Sequence, residues 1–238
     1  MSDYYVRRIL TDYQVNQIRE LLHDNNSCWE SGLETFGYTE AHKKIKNNET
    51  LSGPREILNQ IQDIIWSGID NDFKFLSMVA PETSDTPITT RTVSGGGYKL
   101  HHDNPRNGDF STTVFLSEPD TYEGGELNLK TFDGSKKIKL PAGYAVTYKS
   151  GTPHQVNPVT SGTRYVSVFW TRSMFKNPNI RKLWGDIQTV CRVLEQKHGY
   201  VELPVMENIE EVEYNPHFLL GSVLRNIERD FSICNYHE

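Results

Sequence analysis

The chain has 238 residues, 36% of them hydrophobic and 24% charged, with a formal net charge of -6. That length suits one large domain, or a domain with an appended part, and the apolar content suffices for one sizeable core. The acidic balance argues against a nucleic-acid binder or a protein of anionic membrane surfaces, and the small Lys43, Lys44 and Lys46 group reads as a solvated face.

In chain order, residues 1–10 lack the apolar run of a secretory signal. Thr11-Asp12-Tyr13-Gln14 spells a capping box, and Val15, Ile18, Leu21 and Leu22 give the helix behind it an apolar face. Residues 23–53 are polar and poorly periodic, so they read as loop-rich. Pro54 suits the first turn of a second helix, with Ile57, Leu58, Ile61, Ile64 and Ile65 as its stripe.

From Phe73 the texture changes to short runs of Val, Thr, Tyr and Phe broken by Gly, Pro and Asp. These predict strands at 73–79, 88–93, 98–102, 111–117, 126–131, 136–140, 145–149 and 164–171. A set of short strands of this kind predicts a mainly β fold with flanking helices, a double-sheet jelly roll able to hold a ligand between its sheets. Helices return at Asn177-Pro178 and again at Asn215-Pro216, each an N-cap followed by Pro at the first helical position. The expected organisation is therefore a helical support region over 1–72, the β core over 73–176 and a helical region over 177–238. No run approaches the ~20 apolar residues of a membrane span. Cys28, Cys191 and Cys234 are widely spaced, odd in number and form no CxxC pair, which points to a reducing compartment, the cytoplasm.

The chemistry concentrates in Tyr98-Lys99-Leu100-His101-His102-Asp103, with His154 and Arg164 further on. On a strand, residues two apart share a face, so His101 and Asp103 point together and His102 points away. With His154 from another strand they form two imidazoles and one carboxylate, the set that holds Fe(II) on one face and leaves the others open. Mn, Co or Zn are compatible with the same donors. His102 is expected to be exposed or to support a ligand, and His23, His42, His198, His217 and His237 have nothing tying them to the site. Arg164, Val166, Val168 and Trp170 share the other strand's face. An arginine among apolar residues there points inward, and its buried charge calls for an anionic ligand. Gly95-Gly96-Gly97 lacks the spacing of a phosphate loop and precedes a strand, so it reads instead as a flexible lid, with residues 104–109 as the other rim.

Lys44-Ile45-Lys46-Asn47-Asn48, the 98–103 segment, Phe115-Leu116-Ser117-Glu118-Pro119, Tyr122-Glu123-Gly124-Gly125-Glu126-Leu127, Leu140-Pro141-Ala142-Gly143 and the run from His154 to Arg164 together resemble the Fe(II)/2-oxoglutarate-dependent dioxygenases. Within them the chain is most similar to the PKHD-type hydroxylases and the wider prolyl 4-hydroxylase-like group. The resemblance implies a double-stranded β-helix, iron on His101, Asp103 and His154, and the distal carboxylate of 2-oxoglutarate on Arg164. It implies hydroxylation of a protein or small-molecule C–H bond with release of succinate and CO2, using O2 and, as reductant, L-ascorbate. Asp103 favours hydroxylation, since the halogenases of the family have a small residue there. Two positions depart from relatives: Thr92 and Phe115 stand where many have Tyr. Thr113 or Tyr148 could supply the missing hydroxyl beside the co-substrate, and a prolyl substrate is less firmly implied. A catalytically silent iron- and 2-oxoglutarate-binding module and a cupin-like metal enzyme without 2-oxoglutarate are the competing readings. A monomer or homodimer is expected.

Overall fold

The alternating strands pair into two sheets in the computed structural model, which describes residues 3–33, 45–104, 106–200, 208–209 and 215–233. The elements run β1 (Tyr4–Arg8), α1 (Asp12–Asp24), β2 (Trp29–Ser31), β3 (Lys46–Asn47), β4 (Glu49–Leu51), α2 (Arg55–Asp70), α3 (Phe73–Val79) and β5 (Pro81–Ser84). They continue with β6 (Ile88–Val93), β7 (Gly97–His101), β8 (Phe110–Phe115), β9 (Tyr122–Gly124), β10 (Leu127–Thr131), β11 (Gly134–Ile138), β12 (Tyr144–Lys149), β13 (His154–Val156) and β14 (Val159–Ser173). Two helices close the series, α4 (Pro178–His198) and α5 (Pro216–Phe231). The chain divides into two compact units, Met1–Asn71 with Ser84–Arg172, and Asp72–Thr83 with Ser173–Glu238.

In the first unit the larger sheet has the order β1-β12-β8-β14-β6-β4-β2 and the smaller one β11-β10-β13-β7-β3. All the recorded pairings within them are antiparallel. Period-two alternation sends Leu127, Leu129 and Ile138 inward from the small sheet and Phe115, Val146, Tyr148 and Val166 inward from the large one, and they meet as one buried cluster. This is the jelly roll that the strand pattern predicts. The capping box of α1 forms as expected: Gln14 N–H donates to Thr11 Oγ1 and the Gln14 side chain answers at the Thr11 N–H. Pro54 precedes α2 as its cap. Trp66 of α2 meets Phe169 of β14 edge-on at 5.0 Å between ring centroids.

The structure corrects three expectations. The stretch read as loop-rich contributes β2, β3 and β4, each only two or three residues long and too short for periodicity to show. Residues 73–79, expected as a strand, form helix α3. Asp72 accepts from Phe75 N–H as N-cap, Phe75 and Val79 are buried four residues apart, and Ala80 closes the helix in a left-handed conformation (φ 47°). A short apolar run carries no periodicity long enough to distinguish strand from helix, and the cap decides it. The Gly95-Gly96-Gly97 segment is no lid. Gly95 N–H donates to Val159 O and Val159 N–H to Gly96 O, at 2.8 and 2.9 Å. A Cβ on Gly96 would sit 2.7 Å from Asn47 O, so the glycines let backbones close up where the chain passes from one sheet to the other.

In the second unit Ala80, Phe175, Trp184, Cys191, Leu224 and Ile227 form the buried cluster. Trp184 Nε1–H donates to Glu228 Oε1 at 2.7 Å, tying α4 to α5. Asn177 and Asn215 cap these helices as the sequence predicts. Cys28 is a free thiol, Cys191 is buried, and Cys234 lies outside the described residues, as do Lys43, Lys44, His42 and His237. No described helix is long and apolar enough to cross a membrane.

Candidate metal centre

His101 ends β7 and stands directly opposite His154, the first residue of β13. Cross-strand partners have close side chains, and here the imidazole centroids are 4.2 Å apart. Asp103 lies two residues past the end of β7, where its N–H donates to Ser150 O at 3.1 Å. Its Oδ1 is 3.9 Å from His101 Nε2 and 3.8 Å from His154 Nε2. One ligand atom from each of the three residues lies within 4.8 Å of the others, which makes them a group able to hold a metal ion.

The backbone sets the direction of each donor. His101 Nδ1–H donates to Lys99 O at 2.7 Å and His154 Nδ1–H to Thr152 O at 2.9 Å, a tautomer that turns the Nε2 lone pairs toward Asp103. Asp103 Oδ2 accepts from Ser111 Oγ at 2.6 Å, with the Ser150 hydroxyl 3.0 Å beyond, and Oδ1 is left toward the centre. Burial, reinforced by His154 beside it, lowers the His101 pKa to about 4, so its imidazole is neutral near pH 7 and available as a donor. His102 is exposed, as alternation requires.

A cavity of about 530 Å³ opens on this cluster and also receives Arg164, Thr113 and Tyr148, a size ordinary for small-molecule sites. Arg164, on β14, is only 3% exposed. Its guanidinium carbon lies 5.5 Å from the centroid of Phe115, and Nε donates no hydrogen bond. No ion pair among the described residues includes it. Burial lowers its pKa, and the phenols of Tyr122 and Tyr148 partly offset that. Thr113 and Tyr148 sit on adjacent strands. Burial raises the Tyr148 pKa well above the usual tyrosine range, and a hydrogen bond from Thr113 and the charge of Arg164 pull the other way. All six residues singled out from sequence therefore come together in one cavity.

Four further contributors were not singled out from the sequence. Strict alternation puts Tyr98 on the face opposite His101, yet the rings stack at 3.5 Å and 18°. The register from Tyr98 to His101 spans three residues against two from Val156 to His154, a bulge that turns both rings to one side. Lys46 covers Tyr98 at 5.6 Å, and burial lowers its pKa to about 8 against the opposing pull of Asp103. Ser111, in a wholly buried strand, carries no sequence signal for its bond to Asp103. Tyr122, buried beside Arg164, was legible only as part of a motif.

Comparison with known proteins agrees with this geometry. Residues 88–172 match the family profile of the 2OG-Fe(II) oxygenase superfamily. A PKHD-type hydroxylase from Burkholderia ambifaria is 33% identical over 199 residues, covering 80% of this chain and 87% of that protein. The chain belongs to the PKHD-type hydroxylases. A second relative, PKHD-type hydroxylase YbiX of Escherichia coli, is 31% identical over 208 residues, covering 84% of this chain and 91% of its own. Among solved structures, a Pseudomonas putida prolyl-4-hydroxylase shares the fold with TM-score 0.52 at 19% identity, over 72% of this chain and 92% of that one. A Trichoplax adhaerens prolyl hydroxylase does so with TM-score 0.56 at 17% identity, over 76% and 86%. As a PKHD-type hydroxylase the protein is an enzyme that works with Fe(II), 2-oxoglutarate and O2. The residues present suit those reactants: two imidazoles and a carboxylate form a donor set for Fe(II), and a buried guanidinium with no ion pair among the described residues suits a dicarboxylate.

Proposed function

We propose that His101, Asp103 and His154 hold the Fe(II), and that Arg164, assisted by the Thr113 and Tyr148 hydroxyls, binds the distal carboxylate of 2-oxoglutarate. The enzyme then hydroxylates a C–H bond of a polypeptide or small-molecule substrate. The observation that carries this reading is Arg164: a charge 3% exposed, without an acid partner among the described residues, in the same cavity as the three candidate ligands. A buried cation costs several kcal/mol unless paired, and a dicarboxylate entering the cavity supplies the pair. When bound, the iron and co-substrate supply the oxidation, giving succinate, CO2 and a hydroxylated product. The chain's own residues aim and shield. The Lys99 and Thr152 carbonyls orient the imidazoles, Ser111 holds the outer oxygen of Asp103, and Val166 and Val168 keep the cavity wall apolar.

Support for a polypeptide substrate comes from the Trichoplax enzyme, which was solved with a peptide fragment of a hypoxia inducible factor. Thr92 and Phe115, where many relatives have tyrosine, leave a prolyl target without specific support. L-Ascorbate is the reductant we expect, and the cytoplasm the compartment. The test is succinate formation from 2-oxoglutarate on addition of Fe(II), with peptide and metabolite fractions supplied separately and scanned for a mass gain of one oxygen atom. His101→Ala and Asp103→Ala should abolish turnover. Activity retained in both would overturn the assignment.

A further inference from the structure

Arg164 has a long, flexible side chain, and binding a carboxylate at a fixed place in the cavity requires something to hold it at one angle. Tyr122 lies on β9, where it pairs with Gly162 of β14, so Arg164 is its diagonal neighbour two residues along the partner strand. Both side chains are 3% exposed. The phenol hydroxyl and the guanidinium are near enough to interact as hydrogen-bond partners and to shift each other's ionisation, although the contact is poorly aligned and Arg164 Nε takes no part in it. Each group alone would carry a desolvation cost in this buried place, so their mutual contact offsets part of it.

The turn that follows Tyr122 completes the arrangement. Gly125 has a left-handed backbone (φ +67°), and a Cβ there would fall 3.0 Å from Tyr122 Cε2, 3.1 Å from Arg164 Cδ and 2.9 Å from Val159 Cγ2. The missing side chain is thus the slot through which the arginine stem passes the tyrosine ring. From below, the ring is held by Lys139, whose Nζ lies 4.1 Å from its centroid and donates to Tyr122 O at 2.7 Å. On the other side the guanidinium faces Phe115. Tyr122 does not line the cavity, so it acts through Arg164 and not on a ligand directly.

We propose that Tyr122 is a positioning residue which, with Gly125, fixes the plane of the Arg164 guanidinium and so sets the affinity and chain-length preference for the dicarboxylate. This rests on the assignment of Arg164 to the co-substrate. The experiment measures binding of 2-oxoglutarate and of its six-carbon homologue 2-oxoadipate by calorimetry, to full-length enzyme loaded with Mn(II). Tyr122→Phe should weaken 2-oxoglutarate binding about tenfold, the scale of one hydrogen bond to a charged group. The preference for the five-carbon acid should fall with it, while the ligand-free melting temperature stays near wild type. Gly125→Ala should move both binding readouts in the same direction. A Tyr122→Phe enzyme with wild-type affinity and wild-type preference overturns the inference, provided Arg164→Met loses binding. If Arg164→Met itself binds 2-oxoglutarate normally, the co-substrate assignment fails and this inference with it. A lowered melting temperature with unchanged chain-length preference would mark Tyr122 as a packing residue only and also overturn it.

Discussion

Ser111→Ala isolates how the fold aims a metal donor. Ser111 lies on β8, between Tyr148 of β12 and Trp170 of β14, and is 4% exposed, so the substitution removes one oxygen from a rigid, buried strand. The lost contact is the 2.6 Å bond to Asp103 Oδ2, short as charge-assisted bonds are. Such a bond contributes about 1.5–3 kcal/mol, which corresponds to roughly 10- to 150-fold in an equilibrium constant. Loss of a hydrogen bond to a metal-binding carboxylate typically weakens metal affinity about 10- to 100-fold, and the two independent scales agree. The assay is competition for Fe(II), or Mn(II) as a stable substitute, against a chelating dye, with Thr112→Val as a control. Thr112 neighbours Ser111 but its hydroxyl pairs with that of Thr147 and not with Asp103. Ser111→Ala should lose metal affinity by at least about tenfold while Thr112→Val keeps it. Equal affinities in wild type and Ser111→Ala would show that Asp103 needs no such support, and would refute the reasoning.

Arg164→Met should weaken 2-oxoglutarate binding by at least about thirtyfold, since breaking a buried charge pair costs roughly 2–5 kcal/mol. Without ligand the same variant should be no less stable in chemical denaturation, because an uncompensated buried charge has gone. For metal-free enzyme, the folded pKa of His101 is about 4 against the ordinary 6.5. Between those values the unfolded chain binds the extra proton, so stability should fall as pH drops from about 6.5 to about 4. Denaturation curves across that range should show a shallower fall for His101→Gln than for wild type. Gly185→Ala places a Cβ 2.2 Å from Ser77 O within the helical unit, and overpacking of this kind costs about 1–3 kcal/mol. Its melting temperature should drop while the Mn(II) affinity of the site is retained.

The parts of the site legible in sequence are those whose geometry is local. His101 and Asp103 are two residues apart on an extended segment, and extended backbone sends such residues to one side wherever the segment lies. The inward direction of Arg164 followed from the apolar residues that alternate with it in β14. The caps at Thr11, Asn177 and Asn215 were equally local and formed as written. Residues 73–79 failed because seven residues are too few to tell one period from the other, and the deciding contact was a cap from Asp72. The glycines at 95–97 failed because their role is to admit backbone from Asn47 and Val156, which lie far away in sequence.

By itself, then, the sequence determined the donor types, their spacing and the alternating strands that bury them, since these depend on bond geometry and on which residues avoid water. Only the tertiary structure decided that His154 stands across from His101, that a bulge swings Tyr98 onto the same imidazole, and that Ser111 and Tyr122 brace Asp103 and Arg164. Those relations depend on register between strands distant in the chain. Register is settled when two sheets bury a shared core, a condition no local pattern encodes.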